Sequence, residues 1–428
     1  MSYTAIITKL QNVRSHSNAD RLKLGNAQGN QVVVGLNSME GALGIYFPTD
    51  GQLSEQYASA NDLIGYVDPE TKERKGGFFA KNRRVRTQKF RGEKSDGYFA
   101  PLESLAFTGI NLSSLKDGIS FTELNSIPIC NKYVTPATAR MLVNKNPRKQ
   151  NQFFNKHIDT EQFKHRGFYI PRGALLSFTC KQHGTSGRFG YVLDEKTVPN
   201  PLWKRFLLPL SKPKTALEFD YLHGSRNVIF NKWVEDSYYG DEGFRWKAIE
   251  HLRGLLHKGE ILYYELVGFT NTGTPIMPEV STKILKDKSI ESRYGSVMRY
   301  KYGCNAEDTS NQTRLFVYRI TRVSNDGNVI DLSWDQVKAR CRGLGVTHVP
   351  ELHESFVYSG NFDELSSLVD TLSEGDDVID PSHIREGVVI RIDFNGEPYF
   401  LKHKSFSFKV LEGLVKETDS YVDIEEIS

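Results

Sequence analysis

The chain reads as an α+β protein in which a small N-terminal β-barrel precedes a larger domain built on antiparallel sheets. Three observations carry this reading. The first hundred or so residues alternate short apolar runs with turn residues, at the close spacing of a small barrel. Beyond about residue 125, strands and helices alternate irregularly, without the repeating order of a doubly wound sheet. The turn Asn325-Asp326-Gly327 between the runs 315–323 and 329–332 marks a hairpin, hence antiparallel pairing.

In the first part the strands are expected at 3–10, 21–26, 31–34, 44–47 and 84–90. Residues 81–94 hold seven basic residues and one acid. A barrel face carrying Arg84, Arg86, Lys89 and Arg91 would track a phosphate backbone, and the competing reading is an edge strand defended by charge. From 128 to about 166 the chain turns polar, with Pro136, Pro147, Arg148 and Lys149, which predicts a connector. The organisation expected is a domain over 1–125, a connector over 126–155 and a second domain over 156–428.

In the second part, strands are expected at 175–179, 190–193 and 261–267, and a helix over 242–257 stopped at Gly259. Ser333 caps a helix running to about Arg342, and another spans 361–372. Strands at 387–393 and 398–402 close the pattern. The acidic C-terminal end, with Glu417, Asp419, Asp423, Glu425 and Glu426, reads as a helix or a frayed tail.

Composition narrows the function classes. Of 428 residues, 39% are hydrophobic and 25% charged, which excludes disorder as the whole account. Lys and Arg number 55 against 52 Asp and Glu, so partners must be argued from position and not from net charge. No apolar run reaches membrane-spanning length and the start has no signal-peptide core, so a soluble protein that is not exported is expected. The four cysteines, Cys130, Cys180, Cys304 and Cys341, are at least 37 residues apart, suggest neither a zinc site nor a disulfide framework, and predict a reducing compartment such as the cytoplasm.

The chemistry-bearing residues recur at strand ends. Lys181-Gln182-His183-Gly184 follows the strand 175–179, and its glycine turn lets backbone approach a ligand closely. Glu265-Leu266-Val267-Gly268 ends another strand, Leu315-Phe316-Val317-Tyr318 is aromatic, and Arg385-Glu386-Gly387-Val388-Val389 and Leu401-Lys402-His403-Lys404 follow in order. Taken one at a time, each reads as an ordinary surface or core feature. As an ordered set they resemble motifs I, III, IIIa, IV and V of the covalent nucleotidyltransferases, the superfamily of DNA ligases, RNA ligases and mRNA capping enzymes.

The resemblance implies a nucleotidyltransferase domain on an antiparallel, ATP-grasp-like fold, with Lys181 as the nucleophile attacking the α-phosphorus of a nucleoside triphosphate. A protonated lysine cannot attack, so Lys402, Lys404 and a bound divalent cation would have to lower its pKa. Glu386 would hold Mg²⁺ or Mn²⁺, Glu265 a ribose hydroxyl, and Phe316 would stack on the base, while His183 and Gly184 complete motif I. Arg226, in Gly224-Ser225-Arg226-Asn227-Val228, would reach ribose or phosphate, with Arg188 as its rival; residues 194–220 then read as an insertion. The segment His157 to Arg166 resembles one that precedes motif I in some RNA ligases, which makes Lys164 and Arg166, with Arg188, candidates for triphosphate contacts.

Architecture separates the members. DNA ligases and capping enzymes carry an OB domain after motif V, but only 24 residues follow Lys404. The barrel lies at the N-terminus instead, and this order resembles the fifth family of ATP-dependent RNA ligases, which implies an OB-type barrel and repair of RNA. The implied reaction runs through lysyl-AMP and a 5′-adenylylated polynucleotide and seals 3′-OH/5′-phosphate breaks, as nicks in duplex RNA or an RNA/DNA hybrid with RNA on the 3′-OH side. A monomer with no membrane partner is expected. Related enzymes often have Glu before the nucleophile, where this chain has Cys180, which leaves the base contact open. A non-catalytic RNA-binding protein with a relic ligase domain, an atypical DNA ligase and a guanylyltransferase are the alternatives.

Overall fold

The computed structural model describes residues 3–143, 150–198, 214–230, 243–285 and 287–415. The acidic residues from Glu417 onward lie outside them, as do Pro147, Arg148 and Lys149. It is an α+β structure of mainly antiparallel sheets. Among the described residues, 3–139 and 409–415 form one compact unit, and those within 140–408 form the other.

In the first unit the expected strands form, but they divide among small sheets. Ala5–Lys9 pairs with Leu43–Phe47 and Ser120–Phe121, and Tyr98–Pro101 joins the other edge of Leu43–Phe47. Gln11–Ser15, Leu22–Ala27 and Asn30–Gly35 make a separate three-stranded sheet. No closed barrel is formed among the described residues. Alternation puts Ala5, Ile7, Ile45 and Phe47 inside, where they pack with Leu53 and Tyr57 of the capped helix Glu55–Ala60 and its approach. The polar stretch after residue 125 is also structured, since Cys130–Lys132 pairs with Gly51–Leu53 and a helix follows at Pro136–Val143.

The second unit holds two larger sheets. Glu161–Gln162, Glu397–Lys404, Gly387–Phe394, Leu175–Lys181 and Glu351–Val357 lie side by side in that order, and only the short edge strand Glu161–Gln162 is parallel. Helix Phe362–Ser373 covers this sheet, burying Leu365 and Val369 among Leu176, Phe178, Ile390 and Leu401. The other sheet centres on Glu260–Gly268, buried along its whole length and flanked by Thr185–Val198 and Thr313–Val323. Its buried Glu260 is matched by a bidentate ion pair with Arg340 of the Ser333-capped helix Trp334–Leu344.

Of residues 194–220, the described ones, 194–198 and 214–220, continue a β-ribbon: Thr185–Val198 and Lys214–Ser225 pair from Gly187 opposite Ser225 out to Val198 opposite Lys214. One expectation is corrected here. The expected helix over 242–257 is, from residue 243, an α-turn Phe244–Lys247 and a 3₁₀ turn Glu250–Leu252. The chain leaves helical geometry at Ile249, with φ −121°, and after the 3₁₀ turn it is already extended at Arg253 before Gly254 turns to φ +88°.

Candidate functional site

The two sheets of the second unit are joined by the motif itself. Leu175–Lys181 lies in one sheet, Thr185–Val198 in the other, and Gln182-His183-Gly184 is the crossover between them. Gly184 is required there, because a Cβ would sit 2.3 Å from the Leu266 carbonyl oxygen. The backbone N–H of His183 donates to the buried Tyr302 hydroxyl at 2.7 Å, and the His183 ring packs edge-on against Tyr300 and Phe408.

Register assembles the charged cluster. Gly387 lies opposite Lys181 on one side and Lys404 on the other, which sets Glu386 beside both lysines. Glu386 Oε1 is 2.7 Å from Lys181 Nζ and 3.4 Å from Lys404 Nζ, and its Oε2 is 3.7 Å from His183 Nδ1. A Cβ on Gly387 would lie 2.1 Å from the His403 carbonyl oxygen, so only glycine lets the Lys404 strand approach this closely. Across the crossover, Glu265 is opposite Ser186, whose hydroxyl donates to its Oε2 at 3.0 Å.

A cavity opens on this cluster. Lys181, Lys402, Lys404, Arg226 and Glu265 line it, with Cys180, Val349 and Val389 supplying apolar wall. Arg226 also pairs with Asp159 at 3.0 Å. His157 borders the cavity, and burial, then the charges of Arg319 and Arg226, hold its pKa well below the usual histidine range, so the ring is neutral. Burial raises the Cys180 thiol well above its ordinary value, which leaves it a neutral wall group and not a nucleophile.

Of the two aromatic residues Phe316 and Tyr318, it is Tyr318 that borders the cavity. Phe316 is buried at 1% exposure in the ladder opposite Glu265, with the Arg314 guanidinium over its ring. The register shifts between Tyr263 opposite Arg319 and Tyr264 opposite Val317, leaving Tyr318 as the extra residue of a bulge. That bulge brings Tyr318 to the cavity, its ring edge-on to His157 at 5.0 Å. Burial, then the Glu265 charge, raises its phenol pKa, so the hydroxyl stays protonated.

Of the two arginine candidates, Arg226 borders the cavity and Arg188 does not. Arg188 donates to the Phe154 and Ser225 carbonyls, and burial brings its guanidinium down to about 10, so it is a structural residue. Lys164 and Arg166 are also absent from the lining. Lys164 bonds Ser366 and Asp370 of the covering helix, and Arg166 pairs with Glu161 at 2.9 Å. In the first unit, Arg84 is not a surface cation: it is 5% exposed, donates to the Gly413 carbonyl and pairs with Asp50. Lys89 and Arg91 are exposed and Arg86 is half-buried.

Gln182, inside the Lys181 motif, is a site residue that its residue type alone does not mark. It lines the cavity at 5% exposure, and neither its amide nitrogen nor its amide oxygen has a hydrogen-bond partner. Glu386 Oε2 is likewise buried without a hydrogen bond. Among the described residues no group of three or more His, Cys, Asp or Glu side chains is placed to cage a metal. One carboxylate with one unsatisfied oxygen fits a hard cation that keeps most of its waters and takes other ligands from a bound anion.

Comparison with known proteins agrees with this geometry. A family model described as RNA ligase matches residues 176–426. Among solved structures, a point mutant of the Naegleria gruberi RNA ligase with AMP and Mn aligns at a TM-score of 0.58 and 15% identity, covering 95% of this chain and 98% of that one. Another point mutant of that enzyme, with ATP and Mn, gives 0.58 at 15% identity over 97% and 99% of the two chains. The same enzyme with PPi gives 0.58 at 16% identity over 94% and 97%. No curated protein matches the chain. The structural likeness establishes the fold, and the match over more than half the chain, across every motif from Lys181 to Lys404, establishes that the protein belongs to the RNA ligase family.

Proposed function

We propose that the protein is an ATP-dependent RNA ligase that seals 3′-OH/5′-phosphate breaks through lysyl-AMP and a 5′-adenylylated polynucleotide. The observation that carries this is Lys181 Nζ, 2.7 Å from Glu386 and beside Lys404, in a cavity with Lys402 and Arg226. Lys181 is the nucleophile. It gives up its proton, its Nζ bonds to the α-phosphorus of ATP, and the bond to pyrophosphate breaks. A 5′-phosphate oxygen of the broken strand then attacks the same phosphorus and frees Lys181. Finally the 3′-hydroxyl attacks the 5′-phosphorus, and AMP leaves.

Lys402, Lys404 and Arg226 neutralise charge developing on the phosphate oxygens. Glu265, with one oxygen already accepting from Ser186, takes a ribose hydroxyl. Tyr318 packs on the base against the apolar wall of Cys180, Val349 and Val389, and the unpartnered Gln182 amide supplies one donor and one acceptor to the base edge. Glu386 would hold Mg²⁺ or Mn²⁺, which when bound adds further positive charge at the α-phosphate.

The same reading assigns residues 1–125 to an OB-type domain, 126–155 to a connector and 156–428 to the ligase domain. Support comes from the pairing of Ala5–Lys9 between Leu43–Phe47 and Ser120–Phe121 and from the basic run in 81–94. The substrate is a nick with RNA on the 3′-OH side, in duplex RNA or an RNA/DNA hybrid, and the enzyme works as a monomer. Four buried free thiols suit a reducing compartment such as the cytoplasm. Among the described residues no helix is long and apolar enough to cross a membrane.

The test is peptide mass spectrometry after incubation with ATP and Mg²⁺ or Mn²⁺, beside GTP and Lys181→Ala, followed by sealing assays on matched RNA, DNA and mixed nicks. An AMP adduct on Lys181 and sealing only with RNA on the 3′-OH side are expected. A GMP adduct would make the protein a guanylyltransferase. No adduct on folded, AMP-free protein would sink the catalytic reading.

A further inference from the structure

The first unit carries a cavity of its own. It lies beside the hairpin of Gly65–Val67 and Arg74–Gly76, and its lining includes Tyr66, Phe78, Lys81, Asn82, Arg86 and Gln88. Tyr66 is 51% exposed and Phe78 41%, although rings of this size are normally more deeply buried. Phe78 is not loosely placed. Phe90 and Tyr98 meet its ring edge-on at 5.8 and 5.5 Å, and the buried Phe79 lies beside it at 4.3 Å, so its orientation is set by packing. Backbone geometry adds to this, because the chain at Gly77 presses so near Leu63 that a Cβ would lie 2.2 Å from its carbonyl oxygen.

We propose that this cavity binds unpaired nucleotides of the RNA strand, with a base stacked on Phe78 or Tyr66 and the backbone phosphates held by Lys81 and Arg86. Three features select this occupant. Lys81, Asn82, Arg86 and Gln88 of the lining belong to the 81–94 segment with its seven basic residues and one acid, which selects an anionic partner. Exposed, pre-oriented rings select a partner that presents flat π faces, and every nucleobase does so whatever the sequence. Asn82 and Gln88 add amide donors and acceptors for base edges without favouring one base. An acidic peptide would satisfy the charge but not the rings. The proposal deepens the RNA-ligase reading and rests on it for the choice of RNA.

The test uses the full-length protein and a short single-stranded RNA carrying 5-iodouridine, cross-linked by light and mapped by mass spectrometry, together with RNA binding and lysyl-AMP formation. Cross-links to Phe78 or Tyr66 are expected. Phe78→Ala and Tyr66→Ala should each weaken RNA binding about five-fold or more, whereas Phe78→Trp retains it and all three form lysyl-AMP as the parent does. Lys81→Ala should weaken binding alike for every sequence and lower its salt dependence. Cross-links confined to other regions, or both alanine variants binding as the parent does, would overturn the site. Cross-links at Phe78 in a protein that never forms lysyl-AMP would leave the site standing and remove the ligase reading instead.

Discussion

Lys181 Nζ and Glu386 Oε1 lie 2.7 Å apart, brought together from strands whose pairing sets Lys181 opposite Gly387. The carboxylate therefore holds the nucleophile in place while its second oxygen stays without a hydrogen bond. Glu386→Gln keeps the volume and removes the charge. Lysyl-AMP formation should fall by about two orders of magnitude, as when a single transition-state contact is lost. Single-turnover labelling at saturating ATP measures this, and an unchanged rate at ordinary Mg²⁺ would rule out the assigned role.

The bulge at Tyr318 separates two aromatic residues that sequence alone treats alike. Tyr318→Ala should raise KM for ATP about two- to tenfold, the worth of one stacking contact, with little change in Tm. Phe316→Ala should instead cost about 3–5 kcal/mol of folding stability through the cavity it leaves. Denaturant unfolding beside ATP titration tells the two apart, and a Phe316 variant with normal stability and weak ATP binding would reverse the assignment.

Gln182 carries a buried amide neither of whose polar atoms has a hydrogen-bond partner. Replacing a buried unsatisfied group by an apolar one of similar shape is stabilising. Gln182→Leu should therefore gain about 1–3 kcal/mol of stability while losing ATP affinity and discrimination against GTP. Calorimetry paired with nucleotide competition reads both, and unchanged nucleotide preference would remove Gln182 from base recognition.

Asp370 on the covering helix accepts from Lys164 and from His403, the residue between the two motif lysines. Burial alone would raise its carboxyl pKa, but the hydrogen bonds from His403 and Lys164 outweigh it and hold the group at about 2. A pKa lowered on folding adds stability that is complete above the unfolded value of about 4 and is lost as pH falls toward the folded one. The parent should lead Asp370→Asn in thermal stability at neutral pH, and the lead should shrink from about pH 4 down to pH 2. Equal slopes for both proteins across that range would refute the linkage.

The part of the site that could be read in the sequence is the part fixed by strand ends. Lys181 and Lys404 end strands, Glu386 immediately precedes one, and Glu265 and Lys402 stand within strands near a turn, so their order survives in the chain and their convergence follows from pairing. Tyr318 escaped because a bulge depends on the partner strand and leaves no local mark. The burial of Arg84 is hidden from the local sequence for a related reason: its partners, Asp50 and the Gly413 carbonyl, are far away in sequence. The broken segment after residue 243 has helical spacing, and only the backbone at Ile249 and Arg253 shows where it stops being helical.

The crossover at Gln182-His183-Gly184 has a consequence for how this chain can vary. Lys181 is pinned opposite Gly387 in one sheet and Thr185 opposite Leu266 in the other, so the three intervening residues bridge two fixed anchors. One residue more or fewer would force a slip in one of the sheets, and a one-residue slip turns every side chain of a strand to the opposite face. Substitution within the bridge is thus open to selection, as the choice of Gln182 illustrates, but a change of length there is not. The spacing between nucleophile and second sheet is set by the architecture, independently of which base or which RNA the enzyme handles.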